Sequence, residues 1–373
     1  MKRVTVIGAG NGGMTAAYHL SKNGYAVCLY DSPEFDAQIR AVQQRGGIEA
    51  VAEAHGDPMI LAGFEPVARA TTDIAEAVAW ADWMVMVCPS YAQEILFSRM
   101  LPHLRDGQLL VTMPGNYASL VFSRMVEQSP RRGLELTFAD AISIPWGTRL
   151  VGPAQLGIMG MKKFLPLSVY PAARSTPALQ RQLEELLPVP VELLPSPLAA
   201  GLENINFGGH PLMTAVNIGL LENFNGAFNY YVDCCSPATA RAAEKIDAER
   251  LAVGEALGLS LRTELEAMNA LYGAHCESVY EFNRSSGTHT KMKSAPKSPR
   301  DRYIAEDVPY LFVPCAALGR AVGRPALLVE AVIRLAGAYN GEDYFATGRT
   351  LEKMGLAGLS AEQLGRRARG EQD

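Results

Sequence analysis

Of the six histidines in this chain, His210 stands apart. It sits in Asn204-Ile205-Asn206-Phe207-Gly208-Gly209-His210-Pro211, just before a helical pattern whose first position suits Pro211. A histidine titrates near neutrality, so at such a boundary it can give or take a proton, or it can be a plain turn residue. Asp307, in Glu306-Asp307-Val308-Pro309, reads either as a helix cap or as a partner carboxylate. Arg302, five residues earlier, carries a planar fork that pairs with Asp307 or holds a ligand carboxylate in bidentate fashion. Spacing alone does not bring His210 beside Asp307. His19 falls in the first helical pattern, His55 and His103 in polar turns, and His275 and His289 have no evident local partner.

A second cluster lies at the start of the chain. Gly8-Ala9-Gly10-Asn11-Gly12-Gly13 follows at once on the apolar run Val4 to Ile7 and opens a helical pattern of Met14, Ala16, Ala17 and Leu20. In Gly8-x-Gly10-x-x-Gly13 the first glycine permits a tight turn, the second a close approach of backbone to a pyrophosphate, and the third close helix–strand packing. The helix N-terminus, from Asn11 and Gly12 onward, offers N–H groups and a positive dipole end to phosphates. Asp31 ends the next strand, where an acid takes the adenosine ribose hydroxyls and repels a 2′-phosphate. NAD(H) is therefore favoured and NADP(H) remains open; the other reading of Asp31 is a turn cap before Ser32-Pro33. Val87-Cys88-Pro89-Ser90 and Met113-Pro114-Gly115-Asn116 end two further strand-like runs, so Pro89 and Asn116 are candidate walls near the nicotinamide.

The elements that must position these residues follow from periodicity. Ala26 to Tyr30, Trp83 to Val87, Leu109 to Thr112, Leu134 to Ala139, Ala154 to Met159 and Pro190 to Leu194 read as extended. Tyr91 to Met100, Ala118 to Glu127 and Pro177 to Leu187 read as helices between them. Such alternation argues for an α/β Rossmann domain with a parallel sheet over residues 1–195. Beyond Leu194-Pro195-Ser196-Pro197 the strand pattern stops. Leu212 to Phe224, Ala238 to Leu257, Thr263 to Leu271 and Leu327 to Ala336 are helical in pattern, so 196–373 reads as an all-helical C-terminal domain carrying the substrate and catalytic groups. The stretch His289 to Arg302, with Lys291, Lys293, Lys297, Arg300, Pro296 and Pro299, reads as a solvated loop.

Composition narrows the classes. The chain has 373 residues, 48% hydrophobic and 20% charged, which excludes disorder. A net charge of −5 argues against nucleic acid as a partner. The six cysteines form no C-x-x-C pair, so no metal site is expected, and isolated thiols fit a reducing compartment. The apolar run after Lys2-Arg3 is shorter than the about seven residues a signal-peptide core needs. No run approaches the roughly 18 apolar residues of a membrane span. A soluble cytoplasmic protein without a membrane partner is expected, with a homodimer left open.

Several segments together resemble the octopine/nopaline-type opine dehydrogenases. These are the GAGNGG turn with its following Leu29-Tyr30-Asp31, Ser143-Ile144-Pro145-Trp146-Gly147-Thr148-Arg149, the NINFGGHP run ending at Pro211, and RYIAEDVPY from Arg302 to Tyr310. The resemblance implies small-molecule substrates: an amino acid amine condensing with a 2-oxo acid such as pyruvate to an imine, which NAD(P)H reduces. On matching positions it implies His210 as acid/base, Asp307 as its orienting partner and Arg302 as the holder of the oxo acid carboxylate. Arg149 would contact substrate or brace the domains. Asp140 would face the amino donor's side chain. Trp146 and Tyr310 are packing residues by default. The active site would lie between the two halves. The same-class alternative is a ketopantoate reductase or β-hydroxyacid dehydrogenase, whose Lys and Asn pattern is met here only by Glu203, Asn204 and Asn206. A non-catalytic dinucleotide sensor is the alternative from another class, and it gives His210, Asp307 and Arg302 no role.

Overall fold

The computed structural model describes residues 1–52, 61–287, 289–291 and 295–371; His55 and Lys293 lie outside them. The chain divides into two compact units, Met1–Pro197 and Leu198–Asp373.

In the first unit, the β-branched run Val4-Thr5-Val6-Ile7 is wholly buried and forms the strand Arg3–Ile7. Residues apolar on both faces belong in the interior of a sheet. Here Val6 lies opposite Leu29 on one side and Val85 on the other, both in parallel register. The eight-stranded sheet runs Val191–Leu194, Leu165–Tyr170, Thr137–Ala141, Leu109–Thr112, Trp83–Met86, Arg3–Ile7, Ala26–Tyr30 and Arg69–Thr71. Six of these strands are parallel. Leu165–Tyr170 pairs antiparallel with Thr137–Ala141, and Val191–Leu194 runs with it, so one edge of the expected parallel sheet is reversed. An apolar run marks a buried strand but carries no direction. Chain order reverses at Arg3–Ile7, which places a ligand crevice at the carboxyl ends of that strand and Trp83–Met86.

A second, four-stranded sheet runs Gly63–Pro66, Gly47–Ala50, Gln155–Met161 and Trp146–Gly152. The extended segment expected over Ala154 to Met159 belongs here, paired antiparallel with Trp146–Gly152. Thr148 of this sheet meets Thr15 of the first helix, hydroxyl to hydroxyl at 2.7 Å. The strand expected to start at Leu134 starts at Thr137.

Helices dominate the second unit. The longest, Pro237–Ala256, starts behind the cap Ser236, and Glu264–Tyr272 starts with a capping box of Thr263 and Glu266. Leu327–Asn340 outruns the helix expected there. The single helix expected from Leu212 to Phe224 is two, Pro211–Val216 and Ile218–Asn223. Asn217 parts them because its side-chain amide donates to the Met213 and Cys234 carbonyls. A π-helical turn, Val308–Phe312, follows Asp307. Among the described residues no helix is long and apolar enough to cross a membrane.

Candidate active site

The helix Asn11–Lys22 begins at Gly10 without a side-chain cap and with no acid in its first turn. Its leading N–H groups therefore face outward as an anion site. The turn is drawn tight: the Gly8 N–H donates to the Tyr30 carbonyl at 2.8 Å, and the Met14 N–H to the Gly10 carbonyl at 3.0 Å. A Cβ on Gly13 would overlap the Gly8 carbonyl, and one on Gly8 would overlap the Val87 carbonyl. Asp31 closes the turn from the next strand. Its two oxygens accept from the Ala9 and Ser32 N–H groups, each at 2.8 Å. A carboxylate has further lone pairs, so this bracing leaves acceptor capacity for ribose hydroxyls. Residues and backbone thus fit a dinucleotide.

The flanking candidates fall around the same crevice. Pro89 precedes the helix Ser90–Met100, and Asn116, buried at a positive φ, donates to the Ser90 hydroxyl at 2.8 Å. Asn11 is turned outward instead, accepting from the Leu150 N–H at 2.8 Å and so pinning the second sheet to the glycine turn. Ile144 stands against Gly12, its carbonyl held by the buried ammonium of Lys162 at 2.8 Å. Arg149 is exposed on its strand, with Nη1 3.1 Å from the Thr148 carbonyl. Asp140 is buried, 1% exposed, and takes the Ser119 hydroxyl at 2.6 Å and the Ser119 N–H at 3.1 Å, at the first turn of the helix Ala118–Gln128. Trp146 is core, and Tyr310 carries the buried Arg349 guanidinium over its ring.

In the second unit His210 joins the short helix Asn206–Gly209 to Pro211–Val216. Its backbone is fixed by the Tyr230 hydroxyl, which lies 3.0 Å from the His210 carbonyl, and by the Thr214 N–H, which donates to that carbonyl. The side chain reaches the group that spacing could not assign. His210 Nδ1 lies 2.7 Å from Asp307 Oδ2, a residue 97 positions along the sequence. Asp307 accepts there, so Nδ1 carries the proton and Nε2 faces the Tyr231 hydroxyl at 2.9 Å. The cap reading of Asp307 fails, since its side chain makes no capping bond. Arg302 makes its ion pair with Glu306, Nε to Oε2 at 3.5 Å, and remains 53% exposed.

Burial sets the protonation of the pair. It pulls His210 well below the ordinary histidine value, helped by the Arg302 charge and opposed by Glu306 and Asp301. It pushes Asp307 up, against Arg302 and Asn206. Desolvation thus outweighs the carboxylate's tendency to raise its partner, and the resting imidazole is neutral.

Sequence reading missed the aromatic enclosure of His210. Tyr303 stacks on the imidazole at 3.6 Å between centroids and 6° between planes. Tyr231 is held among Tyr230, Tyr303 and His289. The available signal was the Tyr230-Tyr231 doublet, since two buried phenols need polar partners.

The sequence model of the NAD/NADP octopine/nopaline dehydrogenase alpha-helical domain matches residues 193–340, and that of the NAD-dependent glycerol-3-phosphate dehydrogenase N-terminus matches 3–115. The "Opine dehydrogenase" of Arthrobacter sp. (strain 1C) is 33% identical over 364 residues, 96% of this chain and 97% of that one. The chain belongs to the opine dehydrogenase family. Family membership makes it an NAD(P)-dependent oxidoreductase of CH–NH donors. In fold, this family member is like an octopine dehydrogenase solved with NADH and agmatine, at TM-score 0.80 and 19% identity over 100% of this chain and 99% of that one. A yersinopine dehydrogenase solved with NADP+ gives TM-score 0.72 at 14% identity, over 98% of this chain and 99% of that one.

Proposed function

We infer that this enzyme condenses the amine of an amino acid with a 2-oxo acid and reduces the resulting imine, with His210 as acid/base residue, Asp307 as its orienting partner and Arg302 as the carboxylate holder. The observation that carries the assignment is the buried His210 Nδ1–Asp307 contact of 2.7 Å. It lies in the segment matched by the family's helical domain and only five residues from a half-exposed arginine.

Reduced nicotinamide, when bound, supplies the hydride. The glycine turn and the first helix hold the pyrophosphate, and Asp31 favours NADH over NADPH by repelling a 2′-phosphate. Neutral His210 is fitted to accept the proton that the amine sheds on attacking the carbonyl, and its imidazolium to return one to the departing hydroxyl. Asp307 fixes the ring and offsets the charge while it lasts. Arg302 supplies orientation through a planar fork, which Lys would not reproduce. Arg149 stays a candidate for substrate contact, and Asp140 for the amino donor's side chain. The six isolated cysteines, without a C-x-x-C pair, support a reducing, cytoplasmic setting. Sedimentation of the purified chain tests the homodimer.

The test is NADH and NADPH oxidation, followed by absorbance, with pyruvate and each common amino acid in turn. Oxidation that requires both amine and oxo acid is expected. Oxidation with an oxo acid alone would replace this reading with a 2-oxo acid reductase. NADH binding without oxidation by any pair would leave the sensor.

A further inference from the structure

We propose that Tyr231 is the relay through which His210 exchanges its proton with the reacting molecule. The proposal rests on the acid/base reading of His210 above.

An imidazole has two nitrogens, and Asp307 occupies Nδ1 of His210. Proton exchange with anything else must run through Nε2. That atom faces the Tyr231 hydroxyl at 2.9 Å, and the histidine is only 5% exposed. Tyr303 covers one face of the ring and Tyr230 stands edge-on to it. The route from Nε2 therefore begins at the Tyr231 oxygen. Tyr231 is itself only 7% exposed, so its phenol separates Nε2 from bulk water.

The Tyr231 O–H donates to His210 Nε2, and the Nδ1–H to Asp307. A proton shed by the attacking amine enters at the Tyr231 oxygen as the Tyr231 proton passes to Nε2. The phenol loses one O–H bond and gains one, and the only net change is imidazole to imidazolium. The reverse order returns the proton to the hydroxyl that leaves as water. Burial raises Tyr231 well above the usual phenol value, so it passes protons on and does not ionise in between. The charged or titratable groups around this row are Asp301, Arg302 and Glu306 on one segment, with Tyr272 and His289 on others. The His289 Nδ1 is 2.7 Å from the Ser286 hydroxyl.

The test uses the full-length enzyme and the best amine–oxo acid pair of the wild type. Tyr231→Phe keeps the ring and removes the relay oxygen. Expected is a fall in kcat of about tenfold or more, with the KM for oxo acid and the NADH affinity near wild type. The pH profile of kcat should shift and its solvent deuterium isotope effect rise. An unchanged kcat and pH profile would overturn the relay. So would a raised kcat, which would make Tyr231 a shield over Nε2. A fall in kcat with an unaltered pH profile and a lowered Tm would show a packing role and overturn it too. Wild-type enzyme that turns over no pair would fail the parent reading itself, a result separate from any of these.

Discussion

At the glycine turn the groups that can face a ligand are the leading backbone N–H groups of the helix Asn11–Lys22, in a turn braced by one carboxylate from the neighbouring strand. At His210 they are side chains from three separated segments, around residues 206–214, 230–231 and 301–307, locked in a buried row. The first site is held by the absence of side chains, because a Cβ at Gly13 or Gly8 has nowhere to go. The second is enclosed, and desolvation there favours the neutral imidazole and opposes the aspartate's charge. The first suits a constant ligand part such as a pyrophosphate. The second can accept a proton because burial leaves its imidazole neutral.

Substitutions should separate the two sites cleanly. His210→Ala and Asp307→Asn should each lower turnover by on the order of 10²–10⁴ while NADH still binds with near wild-type affinity in a fluorescence titration. If both keep wild-type rates, the acid/base assignment is wrong. Gly13→Ala should show the opposite pattern. The overlap with the Gly8 carbonyl must be relieved by moving the turn, at about 1–3 kcal/mol, and the NADH Kd should rise before any effect on chemistry is seen. A variant that binds NADH normally would show that the turn does not need its third glycine.

Smaller effects sharpen the same contrast. Asp31→Ala should narrow the NADH-over-NADPH preference in kcat/KM; an unchanged ratio would make Asp31 only a brace for Ala9. The pH dependence of opine oxidation should have its acid limb below 6.5, the ordinary histidine value. The sign follows from burial: a lowered pKa keeps His210 neutral, and so able to accept a proton, to lower pH. An acid limb above that value would contradict the buried pair.

Glu264, packed against Gly208 beneath the histidine segment, gives the smallest predicted effect. Burial, with Asp247 beside it, pushes its carboxyl from 4.5 to about 8. The folded protein then binds more protons than the unfolded chain between those values, so Tm should fall as pH rises from 4.5 to 8. Glu264→Gln should flatten that slope, and an identical slope would show that Glu264 does not titrate there.

Much of the first unit was legible because its determinants are local. Val4 to Ile7, the glycines and Asp31 sit within one strand–turn–helix–strand, and each rule applies within about thirty residues. What was not legible there is also instructive. The reversed edge strand Leu165–Tyr170 and the second sheet depend on which strand each segment pairs with, and an apolar run does not encode its partner. Asp140 carried a family position, but its bond to Ser119 of the adjacent helix was not legible. In the second unit the helices were readable from their period, whereas the break at Asn217 came from a side-chain amide reaching two carbonyls.

The sequence by itself determined the class of the protein, the dinucleotide turn and the identity of the residues able to do acid–base work, because these follow from composition and from interactions between near neighbours. Only the tertiary structure decided that His210 meets Asp307 and that Tyr231 stands on Nε2. Those contacts arise when segments distant in the chain are buried together. Burial also sets the protonation of the pair, a property of the enclosure and not of either residue type.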